Sequence, residues 1–179
     1  MKKLFLILTL MCFSYAGFSQ DAAARTFKFG GGIELAVPAN GLSYSSIGAG
    51  ADLIGHYGLT DQFAITADVG YVGLFEKKDN SNAAIVGDVN IIPIRGGVRW
   101  YPIQHVYVSG RAGVGIRTGN TSDTYFAFAL GGGYMVDTKL DLGIAYEGYN
   151  KGSNVGYLGG PYLYNSFGYI GIRLGYFFK

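Results

Sequence analysis

The sequence predicts an all-β fold: an eight-stranded antiparallel up-and-down barrel that crosses a membrane on its strands. Four observations predict it. Eight stretches of about ten residues alternate bulky apolar side chains with small or charged ones, the period of an extended strand. Glycine supplies 30 of the 179 residues, yet no apolar stripe is sustained at helical spacing. No run reaches the ~18 consecutive apolar residues that a spanning helix needs. Short and longer connectors alternate along the chain, as they do when the strands of an even-numbered barrel turn at its two ends by turns.

The strands follow in order. The first sets Phe27, Phe29, Ile33 and Leu35 against Lys28, Gly30, Gly32 and Glu34. The second sets Ile47 and Leu53 against Gly48, Gly50 and Asp52, and the third Phe63, Ile65, Val69 and Tyr71 against Ala64, Thr66 and Asp68. The fourth sets Ile94, Val98 and Trp100 against Arg95, Gly97 and Arg99. Pro93 precedes that stretch. Proline cannot donate to a ladder, so a bulge or the upper limit of the strand is expected there. The fifth sets Val106, Val108 and Val114 against Ser109, Arg111 and Arg117, and the sixth Phe126, Phe128, Leu130 and Tyr134 against Ala127, Ala129, Gly131 and Gly133. The seventh sets Leu140, Leu142, Ile144 and Tyr146 against Asp141, Gly143, Ala145 and Glu147. The eighth sets Ile170, Ile172, Leu174, Tyr176 and Phe178 against Tyr169, Gly171, Arg173 and Phe177. Turn signals separate them: "PANG", "LTDQ", "FEKKDNSNA", "YPIQ", "TGNTS", "VDTK" and "NKGSNVGYLGGP".

Which face is inside follows from size and charge. A soluble eight-stranded barrel such as a lipocalin would turn its bulky face inward and show the other to water. A solvated face should be rich in Lys, Glu, Gln, Ser and Thr. Here it holds glycine, alanine and isolated charges, which suit a narrow interior. With the bulky faces toward lipid, the central layers of the lumen receive Glu34, Asp52, Asp68 and Glu147 together with Arg95, Arg99, Arg111 and Arg173. Four acids meet four bases. Eight strands leave room only for side chains, and each unpaired charge there is costly, so a balanced count fits a closed, salt-bridged interior. Arginine suits the work because its planar fork bonds two carboxylates at once. A narrow polar or ion path is the alternative. Tyr57, Trp100, Tyr107 and Tyr134 fall near the short-turn ends and Tyr71 and Tyr146 near the long-loop ends, which predicts two aromatic girdles at headgroup level.

The first residues stand apart. "MKKLFLILTLMCFSYAGFSQ" has two lysines, a short apolar run and then small residues, the layout of a secretory signal peptide over 1–19, cleaved after 19 or 20. A lipoprotein signal on Cys12 is the rival, disfavoured by bulky Met11. The barrel domain is then 20–179. The whole chain has 14 Lys and Arg and 12 Asp and Glu, so loss of Lys2 and Lys3 leaves 12 of each. A formally neutral chain has no basic surface for nucleic acid. Cys12, the single cysteine, goes with the signal, so no thiol chemistry remains.

The signal, the eight alternating strands and the terminal "LGYFFK" resemble the small outer-membrane β-barrel families: the OmpA-type transmembrane domain, OmpX, OmpW and the proteins described as outer membrane protein beta-barrel domain. The resemblance implies a porin-like, monomeric barrel in the lipid of a Gram-negative outer membrane. It also implies insertion by the barrel assembly machinery, which reads alternating aromatics of the last strand, here Tyr176 and Phe178. Lys179 departs from the terminal phenylalanine of those families.

No catalytic residue, metal site or cofactor is expected. His56 and His105 both fall at the short-turn end and read as girdle or turn residues; two histidines without cysteine make a poor zinc site. "GGG" at 30–32 and at 131–133 precedes no helix, so neither is a phosphate loop, and both read as packing or kink glycines. The loops near 76–82 and 150–163 are the candidate places for a partner, and no ligand is specified. The role expected is structural or surface interaction. A minor transport barrel for small or apolar solutes is the alternative, followed by a lipid-A-modifying enzyme.

Overall fold

Alternation of the two faces produces eight strands: β1 (Phe27–Asn40), β2 (Ser45–Gly58), β3 (Phe63–Glu76), β4 (Val89–Ile103), β5 (Val106–Thr118), β6 (Asp123–Met135), β7 (Leu140–Asn150) and β8 (Ser166–Phe178). The computed structural model describes residues 26–42, 45–76, 89–119, 122–151 and 166–178. The predicted signal peptide, Lys179 and the two candidate partner loops, apart from their first residues, lie outside the described residues. Each strand pairs antiparallel with the next, and β8 pairs with β1, so the sheet closes on itself without an edge. The connections after β2, β4 and β6 therefore share one end of the barrel with the first residue of β1 and the last of β8.

Sidedness follows the sequence period. On β8, Ile172 is 51% exposed while the adjacent Arg173 is 7% exposed. Leu35, Ile172 and Ile144 stand side by side across three strands, and all three face outward. The outer belt is thus continuous apolar surface, the face that acyl chains can cover.

Pro93 gives neither a bulge nor a strand end. β4 runs four residues past it toward Val89, and Pro93 pairs with Gly115 in unbroken register with β5. Toward β3, pairing lapses between Val69↔Ile94 and Val72↔Ile91, but the register on both sides is the same. One missing N–H is tolerated where the β5 ladder still holds the strand. Register shifts occur near strand ends instead, between Pro38 and Asn40, between Ser45 and Gly48, and between Trp100 and Ile103, which flank Pro102. Hence "PAN" and "YPI" lie inside strands rather than in turns.

The turns at the end that holds both strand termini are chemically specified. Thr60 Oγ1 accepts the backbone N–H of Phe63 at 3.0 Å. The Asp137 carboxylate accepts those of Lys139 and Leu140, which holds its carboxyl below the usual carboxylate range. His105 occupies the β4–β5 turn at φ 74°, and its carbonyl accepts the N–H of Met135 at 2.7 Å. His105 is therefore a turn residue.

Outward sidedness has a measurable cost. Ile172→Arg, at the middle of β8, should destabilise the barrel refolded in lipid vesicles by roughly 2–4 kcal/mol in a denaturant titration. An unchanged midpoint would show that this face does not meet hydrocarbon.

Candidate functional site

Only inward positions can meet across a barrel of this size, so the lumen is where the strands assemble chemistry. It is filled in three tiers. Toward the long-loop end, Tyr125, Tyr149, Phe167 and Tyr169 pack with Leu74 and Ile91, all buried. Tyr149 stacks on Phe167 with centroids 5.0 Å apart, and Tyr125 meets the same ring edge-on at 5.4 Å. Toward the short-turn end, Ile54, Tyr107, Met135 and Phe177 form a second apolar cluster with Tyr101 against it. His56 faces inward here, between the rings of Tyr101 and Phe177, with its Nε2 3.2 Å from the Tyr101 hydroxyl. It is not a girdle residue.

The charges occupy the middle tier as two quartets. In the first, Asp68 of β3, Arg95 of β4, Arg111 of β5 and Glu147 of β7 close a ring. Arg95 donates Nε and Nη2 to Asp68 Oδ2 at 2.9 and 2.8 Å and Nη1 to Glu147 Oε2. Arg111 donates to Asp68 Oδ1 at 3.2 Å and to Glu147 Oε1 at 3.1 Å. Each arginine bridges both acids, and each acid takes both arginines. The Tyr169 hydroxyl, from the tier beyond, donates to Glu147 at 3.0 Å.

The second quartet is a chain. Arg173 of β8 grips Asp52 of β2 with Nε and Nη2 at 2.7 and 2.6 Å, and donates Nη1 to Asp141 of β7 at 3.0 Å. Arg99 of β4 donates to the same Asp141 oxygen at 2.9 Å, and the Tyr107 hydroxyl to the other at 2.7 Å. The Arg99 guanidinium lies 4.1 Å from the centre of the Tyr107 ring, a cation–π contact. Arg173 reaches Asp52 by crossing the strand between them. Gly32 of β1 lies beneath that crossing, and a Cβ there would come within 2.7 Å of the guanidinium carbon. The first "GGG" thus contains a position whose bareness leaves room for the guanidinium that ties β8 to β2.

Of the eight charges placed in the lumen from sequence, seven take part in these pairs. Glu34 is buried beside them but joins none of the ion pairs among the described residues. Its place in the balance is taken by Asp141, fully buried. Asp141 shares the inward parity of Glu147, which is the signal for it, but it sits beside "VDTK", where a carboxylate reads as turn chemistry. Among the girdle residues, Tyr57, Tyr71, Trp100 and Tyr134 are exposed outward, and Tyr146 is partly covered by Phe128. Tyr107 departs from the expectation. It lies between outward Val106 and Val108, faces the lumen at 4% exposure, and is held there by Asp141 and Arg99. Tyr176 and Phe178 face outward at the end of β8, with centroids 5.6 Å apart. No group of three metal-ligating side chains occurs among the described residues.

A closed antiparallel eight-stranded barrel with an apolar belt and an ion-paired lumen defines a class: the fold is that of the small eight-stranded outer-membrane barrels. Particular members are similar to it. Ail, the attachment invasion locus protein of Yersinia pestis, solved with the heparin analogue sucrose octasulfate, superposes with a TM-score of 0.55 at 14% identity. That match covers 85% of this chain and 97% of Ail. The backbone structure of Ail in a phospholipid nanodisc gives 0.56 at 16% identity, covering 86% and 100%. Neisserial surface protein A gives 0.52 at 16% identity, covering 85% and 97%. No protein-family model and no curated protein matches the chain.

The pairing makes two predictions. Arg95→Leu leaves Asp68 and Glu147 buried with one arginine between them and should cost about 3–5 kcal/mol of unfolding free energy. Gly32→Val should displace Arg173 from Asp52 and cost about 1–3 kcal/mol by overpacking. Gly110→Ala is the control, because a Cβ there meets nothing closer than 3.6 Å. Denaturant titration of the folded barrel reads all three, and equal midpoints for Gly32→Val and Gly110→Ala would remove Gly32 from the role given to it.

Proposed function

We propose that this protein is a monomeric outer-membrane barrel, exported by the signal peptide over 1–19. Its sealed interior makes it a rigid support for surface-exposed loops, in a structural or surface-interaction role without catalysis. The observation that carries the reading is the filling of the lumen: buried aromatics toward one end, paired charges in the middle and a second apolar cluster toward the other. An apolar tier on either side of the ions offers no hydrated route for a solute. A rigid barrel leaves its loops as the default site of interaction. The Ail structure with a heparin analogue is a precedent for ligand binding by a barrel of the same fold. The apolar outer belt supports a lipid surrounding, and the outward aromatics Tyr176 and Phe178 suit recognition by the barrel assembly machinery.

Purified barrel in planar bilayers should show no steady unitary conductance; regular channel openings would overturn the sealed reading in favour of a transport barrel. Unboiled protein from the outer-membrane fraction should migrate differently from boiled protein on a gel. Recovery in a soluble fraction without detergent, with no shift on heating, would place the chain elsewhere.

A further inference from the structure

Each quartet holds two acids and two arginines and is neutral by itself, so Glu34 is left over. It is only 9% exposed, and its Oε1 is buried without a hydrogen-bond partner. Arg173 stands directly opposite it in the β1–β8 register, but the bonds that Arg173 makes through Nε, Nη1 and Nη2 go to Asp52 and Asp141. The Glu34 carboxyl lies over Gly171, where a Cβ would approach its carbon to 2.8 Å, so a bare position accommodates this side chain as well.

Glu34 borders a cavity of about 20 Å³ whose polar walls are Arg99, Tyr107, Ser109, Arg111 and Arg173. Arg99, a lining residue of the same cavity, also carries a group without a partner: its Nη1 is buried and makes no hydrogen bond. A site for water needs ~10–15 Å³ of such volume and two to four polar partners. This cavity has both. The charges on its wall select among occupants of that size. Three guanidinium groups oppose a cation, and the Glu34 carboxylate opposes an anion. A small neutral molecule that donates to a carboxylate and accepts from a guanidinium answers both unpartnered atoms.

We propose that this cavity is a binding site for one ordered water molecule, which donates a hydrogen bond to Glu34 Oε1 and accepts one from Arg99 Nη1. The water ties Glu34, the charge of the middle tier left outside the quartets, to the Asp52–Arg173–Asp141–Arg99 chain. Ser109 and Tyr107 supply further hydroxyls on the same wall. A buried carboxyl oxygen left without such a partner would add to the desolvation cost of the group.

A crystal structure at high resolution, collected from crystals soaked in rubidium bromide, tests this. The expected result is one density peak without anomalous signal, within hydrogen-bonding distance of both Glu34 Oε1 and Arg99 Nη1. An anomalous peak in the cavity would replace the water with an ion, and an empty cavity with these side chains in place would remove the site. Glu34→Gln, which keeps an acceptor oxygen, should retain the peak, and Glu34→Leu should lose it while still shifting on heating. Persistence of the peak in Glu34→Leu would assign it to Arg99 and Ser109 and overturn the role of Glu34. Should Glu34→Leu not fold, loss of the peak from Glu34→Gln would overturn the proposal and its retention would support it.

Discussion

The lumen of an eight-stranded barrel admits side chains and little else, and that shortage of space governs the rest of the molecule. Nine charged side chains project into it from seven strands, buried to different depths: Glu34, Asp52, Asp68, Arg95, Arg99, Arg111, Asp141, Glu147 and Arg173. In so narrow a cylinder a guanidinium has no bulk water to fall back on. It must find carboxylates on other strands, and its neighbours must be small enough to let it through. Gly32 under Arg173 and Gly171 under Glu34 are the visible consequence. Bare positions on the inner face thus make room for its large side chains, aromatic as well as charged, as Gly115 does under the ring of Tyr149.

The quartets also explain how a closed sheet is held to one register. Backbone pairing alone would accept β8 against β1 in several registers, since any two strands offer the same ladder. Arg173 is tied to β2 and β7 at once, and the β3–β4–β5–β7 ring fixes the opposite wall. A slip of β8 by two residues would keep its apolar face outward but would carry Arg173 away from Asp52 and off Gly32. The ions need not add net stability to have this effect, because a buried network discriminates against wrong pairings even when desolvation consumes most of its attraction.

Parity carried most of what the sequence made legible. Alternation assigned Ile172 outward and Arg173 inward, and it did the same on every strand, since a side chain's face depends only on its position along its own strand. What parity lacks is depth and partner. Asp68 and Arg95 are opposite each other on adjacent strands, but Glu147 reaches both arginines of its ring across the lumen, and that meeting depends on strand tilt and stagger. Glu34 and Asp141 exchanged places as well: each has the inward parity, and Glu34 even stands opposite Arg173 in register, yet the guanidinium reaches past it to Asp52 and Asp141. Tyr107 shows the limit from the other side. Its nearness to a strand end marked it for a girdle, whereas its odd position between Val106 and Val108 sends it to Asp141. Pro93 misled because a proline in a barrel strand has two neighbours, and loss of a donor toward one does not end pairing with the other.

Similarity of fold at 14–16% identity locates the constraint more closely. At that level shared architecture rests on pattern: outward bulk, inward smallness and alternating connector length. Pattern is satisfied by many side-chain sets, so it leaves the packing of a lumen open. In this chain the solution is ionic at the centre and aromatic toward the long-loop end, and the Tyr169 hydroxyl on Glu147 joins the two tiers. An aromatic tier hydrogen-bonded to the ions cannot shift without breaking a bond to a buried carboxylate. The middle of the barrel therefore supports the aromatic tier, and the strand ends around that tier are held in place by the lumen.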